Sequence, residues 1–227
     1  EQGAKVISIC NTHGSTLPRE SDAALYTHAG PEIAVASTKA FLAQITAAYL
    51  LGLYLAQLRG NKYKDEISAI LGELQKMPAK IQKVIDNDTL VKELGAEMKD
   101  TSSVIFLGRH VGFPVALEGA LKLKEISYIH AEGFAAGELK HGPIALIEEG
   151  QPVIIIVPSA HGRESLHGKV VSNIQEVRAR GAFTIVIAEE GDEAVKEYAD
   201  RLITVPAAPS LLQPLLATVP LQIFACA

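Results

Sequence analysis

Tryptophan is absent, and aromatic residues make up only 5% of the 227 residues. A core built from this chain must therefore be filled by Ala, Val, Ile and Leu, the stock of α/β proteins whose parallel strands are buried on both faces. Cysteine is scarce too. Cys10 and Cys226 are the only two, which excludes a disulfide framework or a cysteine-based zinc site and suits a reducing, cytoplasmic setting. Positive charge is not in excess: 21 Lys and Arg stand against 26 Asp and Glu, a formal charge of -5. With no basic cluster either, nothing points to nucleic acid. A signal-peptide pattern is missing, because EQGAKVISIC opens on an acid and runs into a short β-like segment. Long apolar runs are missing as well. The longest, 45–58, follows Gln44 and is interrupted by Thr46, Gly52 and Gln57, so it reads as too short and too broken to span a bilayer.

What the sequence does have is alternation of two periods. Short β-branched runs recur at 6–10 (VISIC), 103–108 (SVIFLG), 153–158, 183–190 and 202–206, with a weaker one at 24–30. Most are continuously apolar, as strands covered on both sides are. Helical patterns lie between them: 38–58 ending at Gly60, 64–75, 79–85 after Pro78, 113 or 114 to about 130 with Pro114 in its first turn, and 167–180 closing on Gly181. Strands alternating with helices predict βαβ units and a parallel sheet with helices on both faces, an αβα sandwich. The count is uneven. Residues 103–227 supply nearly a whole doubly wound domain, and 1–75 about half of one. The polar stretch 76–102 reads as a helical connector.

The candidate chemistry sits at 121–143, LKLKEISYIHAEGFAAGELKHGP. On a helix from Pro114, Glu118, Lys122 and Glu125 fall at i, i+4 and i+7 and share one face. The plain reading is a solvated charge stripe, which pattern alone favours. The alternative makes Glu125 a general base that removes a proton next to a carbonyl, with Lys122 holding developing negative charge. Desolvation and a nearby cation act on such a carboxylate in opposite directions, and the spacing leaves the balance open. The segment 131–143 carries Gly133, Gly137 and Gly142 with Pro143 and reads as a structured loop, where α/β proteins place ligand sites. His141 in that loop is either a proton shuttle or a surface histidine. His130 and Glu132, at the expected helix end, read as structural. The remaining histidines have no metal-ligand spacing. In the first lobe, Ser37 and Thr38 open a helix after Gly30–Pro31. They are either plain N-caps or hydroxyls beside a helix N-terminus offered to an anionic or hydroxylated ligand.

Four stretches together resemble a known family: CNTHGSTLPRESD (10–22), PEIAVASTKAF (31–41), ALEGALKLKEISYIHAEGFAAGELKHGPIALI (116–147) and SNIQEVRARG (172–181). They are similar to the isomerase part of the glutamine–fructose-6-phosphate aminotransferases, which consists of two sugar isomerase (SIS) domains in tandem. The resemblance implies two αβα sandwiches: the C-terminal half of a first SIS domain at 1–75 and a second at 103–227. It implies synthesis of glucosamine 6-phosphate from fructose 6-phosphate and glutamine-derived ammonia, with no metal or organic cofactor. By the same resemblance Glu125 moves a proton between C1 and C2, Lys122 lies at the site, and His141 assists ring opening. Val35 and Ser37 contact the sugar. His141 is implied to reach a neighbouring subunit, hence a homodimer, and a glutaminase domain is implied on the same polypeptide.

The family's phosphate-binding loops would precede residue 6, and its imine-forming lysine would follow residue 227. The chain is therefore expected to be a piece of a longer protein, inactive by itself, with exposed sheet edge and apolar surface in its first lobe. A second expectation, of a different class, is a non-catalytic SIS-type module that binds phosphosugars.

Overall fold

The computed structural model describes residues 2–160 and 164–227, and the chain divides into two units, Glu1–Gly72 and Glu73–Ala227. In the first, the β-branched run 6–10 becomes β1 (Ile7–Cys10), followed by a short helix α1 (Thr16–Glu20), β2 (Ala23–Tyr26) and the long helix α2 (Lys39–Leu58). β1 and β2 pair in parallel, Ile7 opposite Ala23 and Cys10 opposite Tyr26. Beyond β1, the Asn11 side chain fixes the turn: its amide donates to the Gly30 carbonyl, and its oxygen accepts from Thr27 Oγ1 and the Ala29 N–H. Such side-chain closure replaces backbone pairing where a strand has ended. Helix α2 packs on β1. It begins six residues before the apolar run read from the sequence, and at 20 residues it is long and apolar enough to cross a membrane by length and composition. A helix covering a sheet has the same profile. Val6, Ile7, Leu50, Tyr54, Leu55 and Leu58 are exposed, the apolar surface expected of this lobe.

Helix α3 (Lys64–Gln75) runs across the unit boundary, and the second unit continues with α4 (Met77–Asp86) and α5 (Thr89–Glu97). Pro78 lies in the first turn of α4, where its missing N–H has no helical partner to lose. The polar composition of 76–102 hides a buried side. Met77, Val84, Val91, Leu94 and Met98 are all buried, and α4 and α5 pack on the last helix, α8 (Gln213–Cys226).

The rest is a doubly wound sheet. Strands β3 (Ser103–Gly108), β4 (His130–Ala135), β5 (Pro152–Ile156), β6 (Phe183–Glu189) and β7 (Arg201–Val205) form one parallel sheet of order β4-β3-β5-β6-β7. Alternate residues face opposite layers. Ile105, Leu107, Val153, Ile155 and Val186 join Val170, Ile174 and Val177 of helix α7 (Glu164–Arg178) in one core. On the other side Phe106 and Ile156 lie against helix α6 (Gly112–Ser127). Fully burying each such side chain contributes roughly 1.5–3 kcal/mol.

Two elements differ from the sequence expectation. The segment read as a glycine-punctuated loop contains β4 and two 3-10 helices, Ala136–His141 and Pro143–Leu146. His130 and Glu132 therefore stand on an edge strand, paired with Ser103 and Ile105, not at a helix end. Helix α8 was not expected, since Pro206, Pro209, Pro214 and Pro220 crowd its sequence. Pro214 falls in its first turn, and Pro220, which lacks the N–H for an interior helical bond, is carried by nearly complete burial of the helix.

Candidate active site

Helix α6 positions the site. β3 ends at Gly108, where a Cβ would collide with the Gly112 carbonyl, so only glycine permits this tight strand-to-helix turn. The helix ends at Tyr128, exposed and in the left-handed region at φ 57°. Ser127 Oγ donates to the Ala225 carbonyl at 2.9 Å and ties that end to α8.

Along α6 the i, i+4, i+7 spacing brings Glu118, Lys122 and Glu125 together, but not in water. Lys122 has a side-chain exposure of 3% and Glu118 of 10%, while Glu125 keeps 32%. Lys122 Nζ donates to Glu125 Oε2 at 2.6 Å and lies 3.4 Å from Glu118 Oε1. The longer contact lacks hydrogen-bond geometry, so Glu118 Oε1 is buried without a hydrogen-bond partner. Burial pushes the Glu118 carboxyl above the usual glutamate value, Lys122 opposes the rise, and the negative charge of Glu125 adds to it. A buried ammonium between two carboxylates, only one of them reachable from solvent, suits proton transfer more than stability. The stripe is thus largely buried, and the solvated reading does not hold for Glu118 and Lys122. The triad starts six residues into α6, about 9 Å along the helix from its N-terminus.

The other expected residues lie outside α6. His141 is exposed at the end of the first 3-10 helix. Among the described residues no hydrogen bond or ion pair joins it to the triad. Gly142 follows at φ 151° and ψ −58°, a conformation that favours glycine, and turns the chain into Pro143. Val35 is 96% exposed. Ser37 Oγ donates to Glu32 Oε2 at 3.0 Å, while Glu32 Oε1 accepts from the N–H groups of Thr38 and Ala40 at 2.8 and 3.4 Å. The N-terminus of α2 is thus capped by a carboxylate of its own chain rather than by Ser37 or Thr38. Burial pushes the Glu32 carboxyl up, but these hydrogen bonds, led by the Thr38 N–H, together hold it below the usual value.

Glu118 was visible in the sequence only as a partner in a charge stripe. The signal for its burial was its small and apolar surroundings, Val115, Ala116, Gly119 and Ala120. A second buried polar cluster went unread: Ser159 Oγ donates to Glu189 Oε2, Glu189 Oε1 accepts from the Ala208 N–H, and Gln213 bridges the Val157 carbonyl and the Ser159 N–H. Its members satisfy one another, so it reads as a brace between β5, β6 and α8. A cleft of about 210 Å³ takes Leu123 and Ser127 from α6 together with Gly95, Met98 and Phe224. It includes none of the triad. Among the described residues no group of three or more His, Cys, Asp or Glu could hold a metal.

A parallel, doubly wound α/β sheet with an acid–lysine–acid face on one of its helices defines a Rossmann-like protein. The model of the SIS domain matches residues 1–54 and 97–227, and the chain belongs to that family. It is 77% identical over 227 residues to the glutamine–fructose-6-phosphate aminotransferase (isomerizing) of Corynebacterium glutamicum, covering all of this chain and 36% of that protein. Its identity to the enzyme of the same name from Streptomyces coelicolor is 66% over 226 residues, all of this chain and 37% of that one. Among solved structures it is similar to the C-terminal domain of glucosamine-fructose-6-phosphate aminotransferase from Francisella tularensis, with a TM-score of 0.89 and 40% identity over 96% of this chain and 61% of that one. The chain thus spans about a third of the length of these curated relatives.

Proposed function

We propose that this chain is the isomerase portion of an enzyme that makes glucosamine 6-phosphate from fructose 6-phosphate and glutamine-derived ammonia. The carrying observation is the 2.6 Å bond from buried Lys122 to Glu125, whose carboxylate is still 32% exposed. It is held at one oxygen and reachable by a substrate. Ammonia condenses with the C2 carbonyl and expels water. Glu125 then takes the proton from C1, and the C–H electrons form a C1–C2 double bond as the nitrogen gains a proton. Returning the proton from Glu125 to C2, with loss of the O1 proton, yields the aldehyde of the amino sugar. Lys122 supplies the positive charge against which the enolate-like intermediate builds. His141 assists ring opening from a neighbouring subunit of a homodimer, and Val35 and Ser37 contact the sugar. Residues 1–75 form half of a first SIS domain, 76–102 a connector and 103–227 a second SIS domain. The working assembly is cytoplasmic and includes a glutaminase domain, and the 63–77% identity to named aminotransferases across the chain supports that assignment.

The test is Glu125→Gln in the full-length protein. Glucosamine 6-phosphate formation should fall by about 10²–10⁴-fold, as loss of a general base does, with fructose 6-phosphate binding kept within about threefold by calorimetry. Turnover at the parent rate would sink the assignment. Sugar binding without turnover in the parent protein would instead support a non-catalytic phosphosugar-binding module.

A further inference from the structure

We infer that Glu176 of helix α7 is a positioning residue for His141: it grips Lys140, the residue before the histidine, and so fixes where the imidazole projects. The inference rests on His141 assisting ring opening. No proposed site residue falls in SNIQEVRARG (172–181), although that stretch carries part of the family resemblance. Most of it is the C-terminal part of α7, and the 3-10 helix Ala136–His141 packs against that helix. Ala136 and Leu139 are buried in one core with Val170, Ile174 and Val177. Arg109, at the end of β3, lays its guanidinium against Gly137, where a Cβ would lie 3.3 Å from Nη2. Lys140 Nζ meets Glu176 Oε1 at 2.9 Å. Beyond the histidine, Arg180 Nη1 donates to the Ile144 carbonyl at 3.3 Å. His141 and Gly142 are exposed between these last two ties. A 3-10 helix has poor hydrogen-bond geometry and does not hold its own end rigidly, so the tie at Lys140 decides how the His141 backbone is presented. Glu176 is itself held. Asn173, three residues earlier on α7, is buried, and its Nδ2 donates to Glu176 Oε2 at 3.4 Å. The Asn173 Oδ1 is buried without a hydrogen-bond partner. An apolar side chain would avoid that cost, so stability does not account for an amide here, whereas orienting the carboxylate does. The Lys140 side chain is mostly exposed, and its ion pair adds little to stability. Displacing a proton-transfer group by about 1 Å can nevertheless cost about 10²-fold in rate.

Full-length protein carrying Glu176→Gln, Glu176→Lys, Lys140→Glu, the Lys140→Glu/Glu176→Lys swap, and the two Glu176 changes in a His141→Ala background tests this in the conversion of fructose 6-phosphate. Glu176→Gln should lower kcat by about threefold and Glu176→Lys, which turns attraction into repulsion, by about tenfold, with KM within about twofold in both. The swap rebuilds the pair with its charges exchanged, and Asn173 can offer the new lysine its amide oxygen. Its kcat should return to within about threefold of the parent. In the His141→Ala background neither Glu176 change should add a loss, because the effect passes through the imidazole. A Glu176→Lys enzyme with kcat within about twofold of the parent overturns the inference, as do losses that multiply with His141→Ala or a swap no faster than its single variants. Should Glu176→Lys not fold, Glu176→Gln decides: a kcat loss that vanishes in the His141→Ala background upholds the inference, and an equal loss in both backgrounds overturns it. A slow His141→Ala enzyme beside a fully active Glu176→Lys enzyme removes only this inference, whereas a fully active His141→Ala enzyme removes the role of His141 itself.

Discussion

The two units use the same strand vocabulary to different ends. β1 is ISIC and β5 is PVIII, both short and β-branched. Ile7 of β1 is nevertheless 53% exposed, whereas all five residues of β5 are buried. β5 lies between β3 and β6 with apolar layers on both faces. β1 has one four-residue partner strand and α2. A two-stranded pair contributes little stability on its own. Burial is thus a property of the layers around a strand and not of its residues. The charged face of α6 makes the same point from the other side: a stripe that could be solvated is largely buried at Glu118 and Lys122.

The contrast can be broken most sharply in the second core. Leu107→Ala removes a fully buried side chain and should cost about 2–5 kcal/mol by denaturant unfolding, with the lower end set by how far the site collapses. Ile7→Ala in β1 should cost under about 1 kcal/mol in the same assay. Equal losses would show that the units do not differ in this way. Next in size is Gly142→Ala, where nothing within 4 Å obstructs a Cβ and conformation alone is at stake. About 1–3 kcal/mol of strain is expected. A Gly142→Ala protein unfolding at the parent denaturant midpoint would refute the backbone requirement.

Acid separates the units by sign. Glu32 sits below and Glu118 above the usual glutamate value of 4.5. Glu32 therefore adds stability that is present above pH 4.5 and is lost as pH falls through its lower folded value. Glu118 favours the fold below pH 4.5, and that contribution is lost as pH rises from there through its raised folded value. Relative to the parent, Glu32→Gln should flatten the loss of stability on acidification, whereas Glu118→Gln should flatten a loss on raising the pH. Thermal midpoints measured from pH 3 to pH 8, taken as variant minus parent, check both, and curves of the same sign would contradict the burial difference. The smallest effect is expected for Lys83→Ala, which removes an exposed pair with Glu190. A change above roughly 1 kcal/mol would mean that surface pairs matter here more than elsewhere.

Much of this was legible in the chain. The runs 103–108 and 183–190 and the helix 64–75 match β3, β6 and α3 closely, because a strand covered on both faces must be continuously apolar. Helical spacing put Glu125 and Lys122 on one face, and their meeting follows from the 3.6-residue repeat. What could not be read depended on distant neighbours. β4 is an Ala- and Gly-rich edge strand that gains its identity from pairing with β3. Helix α8 forms against propensity because α4, α5 and α6 surround it. The burial of Glu118 belongs here too, because α6, with Val115, Ala116 and Ala120 beside it buried as well, packs on α8, β4 and β3.

By itself, then, the sequence determined the kinds of element, their alternation into parallel α/β layers, and which acid and lysine share a face of α6. These follow from local sterics and hydrophobic period, which each segment carries within itself. Only the tertiary structure decided that Lys122 is buried between two carboxylates, that Glu32 caps α2, and that β5 is enclosed while β1 stays partly exposed. Solvent exclusion at any residue is set by chains far away in sequence, and the energy of a charge depends on that exclusion more than on its neighbours along the chain.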